Sequence, residues 1–456
     1  MIERPLSEIA EAVGGRLEHG DPTIRSVVTD SRDASEGALF VALRGERRDG
    51  HAFLGAAVEA GAAAVLVERT DGTVPQAPTV VVSDTGRALL ALAADERERT
   101  RDRRVVAITG ANGKTSTKDL AAAVLSQRFR THASPRSFNN EIGLPITLLG
   151  APAGTEVVVA ELGARREGDV ALLSEVARPD VAVVTNVGVA HMGIFGSWAA
   201  IERAAAEPIV ALEPEGVAIV NADDAVTRGY AERTRARVLT FGADPTADVR
   251  SRDVVLRDDG RATFTLEAHG SKEAVELAVP GEHMVSNALA AVACGIALGV
   301  PLEGCADALK DARVSAWRME TFTTRAGVVI LNDAYNANPE SMAAGLKTAR
   351  WIARDRRLAA VLGGMAELGD ISAAEHDRLG ELVVRIGVER LVTVGEPARA
   401  IARAALREGL LPEDVATCHG REDAIEDVRG WARGGDVVFL KGSRVVGLER
   451  VAEALR

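Results

Sequence analysis

The chain has 456 residues, 47% hydrophobic and 26% charged, a globular composition that excludes wholesale disorder. At roughly 150 residues per domain the length predicts about three domains, each able to bury its own core. A formal net charge of −12 and 3% aromatic residues argue against a nucleic-acid groove or a base-stacking platform, so no nucleic-acid partner is expected.

In chain order, the first stretch to about Asp84 reads as short strands with one helix. Ser26–Thr29, Leu39–Leu43, Ala63–Val67 and Thr79–Val82 are strand-like, and Phe53–Ala60 is helical. A boundary near Thr85 is followed by a helix over Gly86–Thr100. Its charge run Asp95-Glu96-Arg97-Glu98-Arg99 reads as a solvated end. The middle region alternates apolar strands with helices. Val105–Thr109, Val157–Glu161, Val181–Asn186 and Val217–Asn221 are continuous apolar runs, suited to a parallel sheet buried on both faces. Helices are expected at Thr115–Gln127, from Ser197 onward and at Glu282–Gly299, the last after a strand-like insert, Ala262–Val279. From about Arg313 the alternation resumes. Val328–Asp333, Leu358–Gly363, Leu391–Val394 and Val437–Lys441 are strands, and helices include Glu340–Ala353 and Ala373–Ile386. The fold class is α/β, with domains expected at 1–84, 85–312 and 313–456 and two doubly wound units among them.

Cys294, Cys305 and Cys418 form no CxxC pair, which points to a reducing compartment. The N-terminus has no basic region followed by an apolar run. The longest apolar run, near Ala288–Val300, is too short for a membrane span. A soluble cytoplasmic protein without a membrane span is expected.

The strongest chemical signal is Gly110-Ala111-Asn112-Gly113-Lys114-Thr115-Ser116, which follows an apolar strand and opens a helix. That is the context of a phosphate-binding loop. Glycines let backbone N–H groups approach the phosphates, Lys114 adds a charge, and the Thr115 hydroxyl is a candidate Mg²⁺ ligand. The spacing is unusual, because only Ala111 and Asn112 separate the two glycines. Glu161 at the carboxyl end of one strand and His191 beyond the next are candidate metal ligands, since ligands of α/β sheets gather at those ends. Taken singly, each also suits an ordinary cap or loop. In the third region Asn332-Asp333-Ala334-Tyr335-Asn336-Ala337-Asn338-Pro339-Glu340 follows a strand. Asp333 there suits a ribose hydroxyl, or the segment is simply a helix cap. Lys441 and Arg444 end the last strand as candidate clamps for a phosphate or carboxylate.

Together these motifs resemble the Mur ligases, ATP-dependent amide-bond-forming enzymes of peptidoglycan synthesis, and within them the MurF type. The resemblance is carried by Asp30-Ser31-Arg32, Asn139-Asn140-Glu141-Ile142-Gly143-Leu144-Pro145, Glu161-Leu162-Gly163 and His191 with Phe195-Gly196-Ser197. Asp333 to Pro339, Gly363-Gly364-Met365-Ala366-Glu367-Leu368-Gly369 and Lys441-Gly442-Ser443-Arg444 extend it to nearly the whole chain. It implies a small α/β domain for the UDP end of the substrate, a central ATPase domain and a Rossmann-like last domain that closes on both. The implied substrates are UDP-N-acetylmuramoyl-tripeptide and D-alanyl-D-alanine, joined through an acyl phosphate with ATP and Mg²⁺ by a monomer. By the same resemblance Gly110 to Ser116, Asn287, Arg318 and Asp333 contact ATP. Thr115, Glu161 and His191 hold metal, Lys114 and His191 are catalytic, and Ser31, Asn139, Asn140, Asn336, Lys441 and Arg444 face substrate.

One position departs from the family. The helix after Phe195-Gly196-Ser197 normally carries a lysine whose carbamate helps hold a second Mg²⁺. A gap-free count places Ala205 there, with Glu207 matching the glutamate that follows. Two other readings stand beside the first: a relative acting on another acid and amine, as folylpolyglutamate or cyanophycin synthetases do, against which Asp30-Ser31-Arg32 argues, and, on the strength of Ala205, a catalytically weakened nucleotide-binding protein.

Overall fold

A computed structural model describes residues 1, 3–45, 48–69 and 76–456. Three main sheets follow one another along the chain. The first has five strands in the order Arg16–Glu18, Thr79–Val81, Ala64–Val67, Ala38–Val41 and Ser26–Val28, parallel except at the Arg16–Glu18 edge. Its central strands, Ala38–Val41 and Ala64–Val67, are buried on both faces, which accounts for their unbroken apolar sequence. The expected helix here is a 3₁₀ turn, Gly50–Phe53, running into Leu54–Glu59. It is not alone: Leu6–Ala12 is also helical and buries Leu6, Ile9 and Ala10. Seven residues give barely two turns of periodicity, too little to stand out in the sequence.

The second sheet has nine strands. Thr131–Ala133, Val157–Glu161, Arg104–Thr109, Val181–Val184, Val217–Asn221, Arg237–Gly242 and Val249–Leu256 run parallel, and Arg261–Ala268 and Ser271–Pro280 continue the sheet antiparallel. The stretch read as one strand-like insert is therefore a hairpin, turned at His269 and Gly270, both with positive φ. The helices Lys114–Leu125 and His283–Ala297 cover one face together. Register places Glu161 opposite Ile108 and Val184 opposite Thr109, so the three carboxyl ends lie side by side.

The third sheet orders Glu320–Thr323, Val329–Asn332, Val437–Lys441, Leu358–Gly363, Arg390–Val394 and Val415–Cys418, with only the first antiparallel. Its two edge strands escape sequence reading because neither is an unbroken apolar run. The strand order reverses around Val437–Lys441, where a doubly wound sheet opens a ligand crevice.

The helix Thr85–Arg99 joins the first sheet to the second and is N-capped by the Asp84 side chain. Its charge run is not a solvated end, because Glu96 and Arg97 are buried. The Arg97 guanidinium donates to Ala177 O, Thr100 O, Arg103 O, Arg178 O and Asp180 Oδ2, tying the helix to the middle sheet's surface. Desolvation of this charge is offset only because all five N–H donors are used. Arg97→Ala strands several buried carbonyls and is expected to cost about 3 kcal/mol in a urea unfolding experiment. A loss below about 0.5 kcal/mol, the scale of an ordinary surface substitution, would show that the helix end is solvated after all.

Candidate active site

The strand Arg104–Thr109 is followed by Gly110, at φ +131, and the helix Lys114–Leu125 begins after Gly113, at φ +79. Both glycines are needed. A Cβ at Gly110 would lie 2.2 Å from Thr185 Oγ1, and one at Gly113 would lie 2.2 Å from Asn287 Oδ1. The neighbouring strand stops at Val184, two residues short of the sequence expectation, and the freed Thr185 and Asn186 brace the loop. Ala111 N donates to Asn186 O (2.9 Å), Asn112 N to Asn186 Oδ1 (2.9 Å) and Thr185 Oγ1 to Asn112 O (2.6 Å). Ser116 is buried in the first helical turn. Lys114 Nζ donates to Gly110 O (2.6 Å) and Ala111 O (3.3 Å), and among the described residues no carboxylate pairs with it. Burial pushes its ammonium below the usual lysine range, with Glu161 opposing the shift.

Glu161 ends the strand Val157–Glu161 and is 1% exposed. Its Oε1 accepts from Asn139 Nδ2 (2.8 Å), while Oε2 is buried without a partner. A buried carboxylate oxygen left unpaired, close enough to Lys114 for the two charges to interact, fits a hard divalent cation. Among the described residues no group of three or more His, Cys, Asp or Glu forms a cage, so such an ion would depend on phosphate oxygens and water for the rest of its shell. The segment carrying Asn139 is held by Lys118, a fully buried lysine that donates to Ser134 O and Arg136 O, each at 2.7 Å.

The third sheet's loops arrive on the same cleft. Arg318 Nη2 donates to Thr115 Oγ1 (2.7 Å), Asn338 Nδ2 to Asn112 Oδ1 (2.6 Å), and Glu340 Oε1 accepts from Val189 N (3.2 Å). The Tyr335 hydroxyl bonds Ser137 Oγ, and Arg318 stacks 4.2 Å over the Tyr335 ring. Arg444 lies 4.6 Å over Trp317 and pairs with Glu449 (2.8 Å). His191 bonds Glu367 through Nδ1. Burial and the Lys114 charge push His191 below the usual histidine range, against the pull of Glu367.

Other expected site residues have different surroundings. Lys441 is not a free clamp. It is 4% exposed, pairs with Asp333 Oδ2 and donates to Asn336 O (3.0 Å), so the pair stiffens the Asp333–Asn336 turn. Asp333 Oδ1 accepts from Met319 N (3.2 Å), and the Asn336 side chain is exposed. The Asn140 side chain accepts from Gly143 N (2.9 Å) where the helix Gly143–Leu149 begins. Ser31 opens the short helix Ser31–Asp33 on the first sheet, and no hydrogen bond among the described residues joins it to the cleft. Asn287 packs its amide against Gly113. Ala205 lies in the helix Trp198–Val210 against an apolar cluster. Glu207 does not turn toward the loop; it accepts from Gly168 N (2.6 Å) and Ala171 N (2.7 Å), and Glu202 pairs with Arg233.

Sequence reasoning gives no role to Asn186, Tyr335, Asn338, Glu340 or Glu367. One signal in the backbone gathers at the cleft: Arg136, His191, Trp317, Met319 and Glu367 all have φ between +50 and +64 without being glycine. Such conformations cost about 1–3 kcal/mol each and concentrate at functional sites.

Three regions match Mur ligase descriptions: "Mur ligase family, catalytic domain" at residues 23–98, "Mur ligase middle domain" at 108–295 and "Mur ligase, glutamate ligase domain" at 317–444. The chain is 42% identical to the UDP-N-acetylmuramoyl-tripeptide--D-alanyl-D-alanine ligase of Mycobacterium tuberculosis, across 100% of this chain and 98% of that protein. It is 36% identical to the Bacillus subtilis protein of the same name, across 100% and 99%. Among solved structures, MurF from Acinetobacter baumannii superposes with a TM-score of 0.88 at 32% identity, covering 100% of this chain and 99% of that one. MurF from Thermotoga maritima in complex with ADP gives 0.81 at 29% identity, covering 94% and 97%. The chain belongs to the Mur ligase family, in its MurF branch.

Proposed function

We propose that this chain joins D-alanyl-D-alanine to UDP-N-acetylmuramoyl-tripeptide in peptidoglycan precursor synthesis, converting ATP to ADP and phosphate. The carrying observation is the meeting of the Gly110–Thr115 loop with Arg318 and Asn338 of the third sheet in one cleft, beside a buried carboxylate oxygen that lacks a partner. The substrate pair is supported by the names of the relatives that match over the whole chain.

In this reading residues 1–84 take the UDP end, with Ser31 on that surface. Residues 85–312 hold ATP, and 313–456 close over it. The backbone N–H groups of residues 110–115 cradle the phosphates, Asn287 flanks the adenine side, and Arg318 and Asp333 reach the nucleotide from the third domain. The tripeptide carboxylate, a poor electrophile, attacks the γ-phosphate. An acyl phosphate forms and ADP leaves. The free amine of the dipeptide then attacks the acyl carbon, the C–O bond to phosphate breaks, and the amine's proton is lost. Lys114 shifts from the loop carbonyls to the transferring phosphoryl and offsets its charge. Glu161, Thr115 and His191 would hold Mg²⁺, which supplies further charge neutralisation at the phosphates. Asn139 orients Glu161, while Asn140, Asn336, Lys441 and Arg444 shape or line the path of the substrates. The chain is taken to act as a monomer. Among the described residues no helix is long and apolar enough to cross a membrane, and a cytoplasmic site of action suits the nucleotide substrates.

Phosphate release measured with ATP and both substrates tests this reading. Release is expected only when both are present, and Lys114→Ala should lower turnover by about 10²- to 10³-fold, the loss of one electrostatic donor. Equal release without the dipeptide, or a Lys114→Ala variant above a tenth of parental turnover, would contradict it.

Ala205 makes a separate prediction. With Glu202 and Glu207 committed elsewhere, no carboxylate on this helix stands in for a carbamate. Turnover should therefore be slow and demand high Mg²⁺, with ATP binding retained. Ala205→Lys should raise turnover, and bicarbonate should raise it further. A rate and Mg²⁺ dependence unchanged by Ala205→Lys would show that the position plays no part in metal binding.

A further inference from the structure

Glu367 sits in the loop after the strand Leu358–Gly363, far in sequence from His191, yet its carboxylate bonds His191 Nδ1. A carboxylate only accepts here, so Nδ1 carries the hydrogen whenever the ring is neutral. Nε2 is then the lone-pair nitrogen, and it has no protein hydrogen-bond partner among the described residues. Lys114, on the phosphate loop, is near enough for its charge to act on the ring, which puts the ring itself at the phosphate end of the cleft.

The contact is built on a rigid frame. Glu367 holds φ +64 and His191 φ +63, conformations that neither residue adopts without restraint. Gly193 N donates to Glu367 O (2.9 Å). The two backbones approach so closely that a Cβ on Gly193 would lie 2.5 Å from Gly369 N. Behind the loop, Ala366 N donates to Ser443 Oγ (2.7 Å) and Met365 N to His376 Nε2 (2.9 Å). His376 is fixed in turn, because its Nδ1 donates to Ser372 O (2.7 Å). Two strained residues from separate sheets thus meet through a side-chain bond and a backbone bond, with a third layer locking one of them.

We propose that Glu367 is a positioning residue for His191: it sets the Nδ1–H form, aims Nε2 at the phosphate end of the cleft, and makes that orientation depend on closure of the third domain. A carboxylate behind a histidine fixes ring and tautomer and strengthens the free nitrogen as a ligand or base. The inference rests on the ligase reading only for its kinetic consequence; the tautomer follows from the geometry alone.

The test compares the full chain with Glu367→Ala and Glu367→Gln, using ¹⁵N-histidine NMR of the protein without ligands at pH 8.5 and ligation kinetics. The side chain of Glu367 is 37% exposed, so both variants should fold, and thermal unfolding confirms it. Parent and Glu367→Gln, whose amide oxygen still accepts from Nδ1–H, should show the Nδ1–H pattern for His191. Glu367→Ala should shift toward Nε2–H. In ligation Glu367→Ala should lose about 10- to 100-fold in kcat with the KM for ATP nearly unchanged, and Glu367→Gln should recover part of it. An unchanged tautomer in Glu367→Ala overturns the proposal whatever the kinetics. So does a kcat within about twofold of the parent, far short of the loss that a positioning contact predicts. A parent that does not ligate at all refutes the ligase reading and leaves the tautomer result standing.

Discussion

A carboxylate and a triphosphate repel one another, and the charges available to bring them together come from different domains. Lys114 stands on the loop after the strand Arg104–Thr109, and Arg318 reaches across from the third domain to the Thr115 hydroxyl. A triphosphate and a carboxylate together carry several negative charges, so neither single cation can neutralise both. The cleft exists as a site only when the two domains touch. Its remaining cross-domain contacts, from Asn338, Glu340, Tyr335 and Glu367, reinforce that single requirement.

The same requirement explains why part of the chain is rigid to the point of strain. The glycines at 110 and 113 admit Thr185 and Asn287 at distances no side chain would allow. The buried Asp333–Lys441 pair braces the turn that presents Tyr335 and Asn336. A buried ion pair gains little net stability and loses much if one partner is removed, so its use here is to hold one geometry.

How much of this could be read in advance divides along one line. The phosphate loop was legible because its strand, glycines, lysine and helix are contiguous, and the apolar runs at Val157–Glu161 and Val437–Lys441 announced buried parallel strands. Edge strands such as Glu320–Thr323 and Val415–Cys418 were not, because half-buried strands carry no unbroken apolar pattern. The Arg97 run looked solvated because the carbonyls that bury it lie at residues 100, 103, 177 and 178. Glu367 was visible as a letter in a motif. Its partner is 176 residues away, and no local spacing encodes that contact.

If the cleft activates a carboxylate by transferring the γ-phosphoryl group to it, an oxygen of that carboxylate must leave with the phosphate. The most direct measurement follows oxygen. With ¹⁸O in both oxygens of the tripeptide's terminal carboxylate, one label should appear in the phosphate released on ligation and one should remain in the new amide carbonyl. Phosphate without label, with ligation proceeding normally, would mean that no acyl phosphate forms and that the carboxylate is activated in some other way.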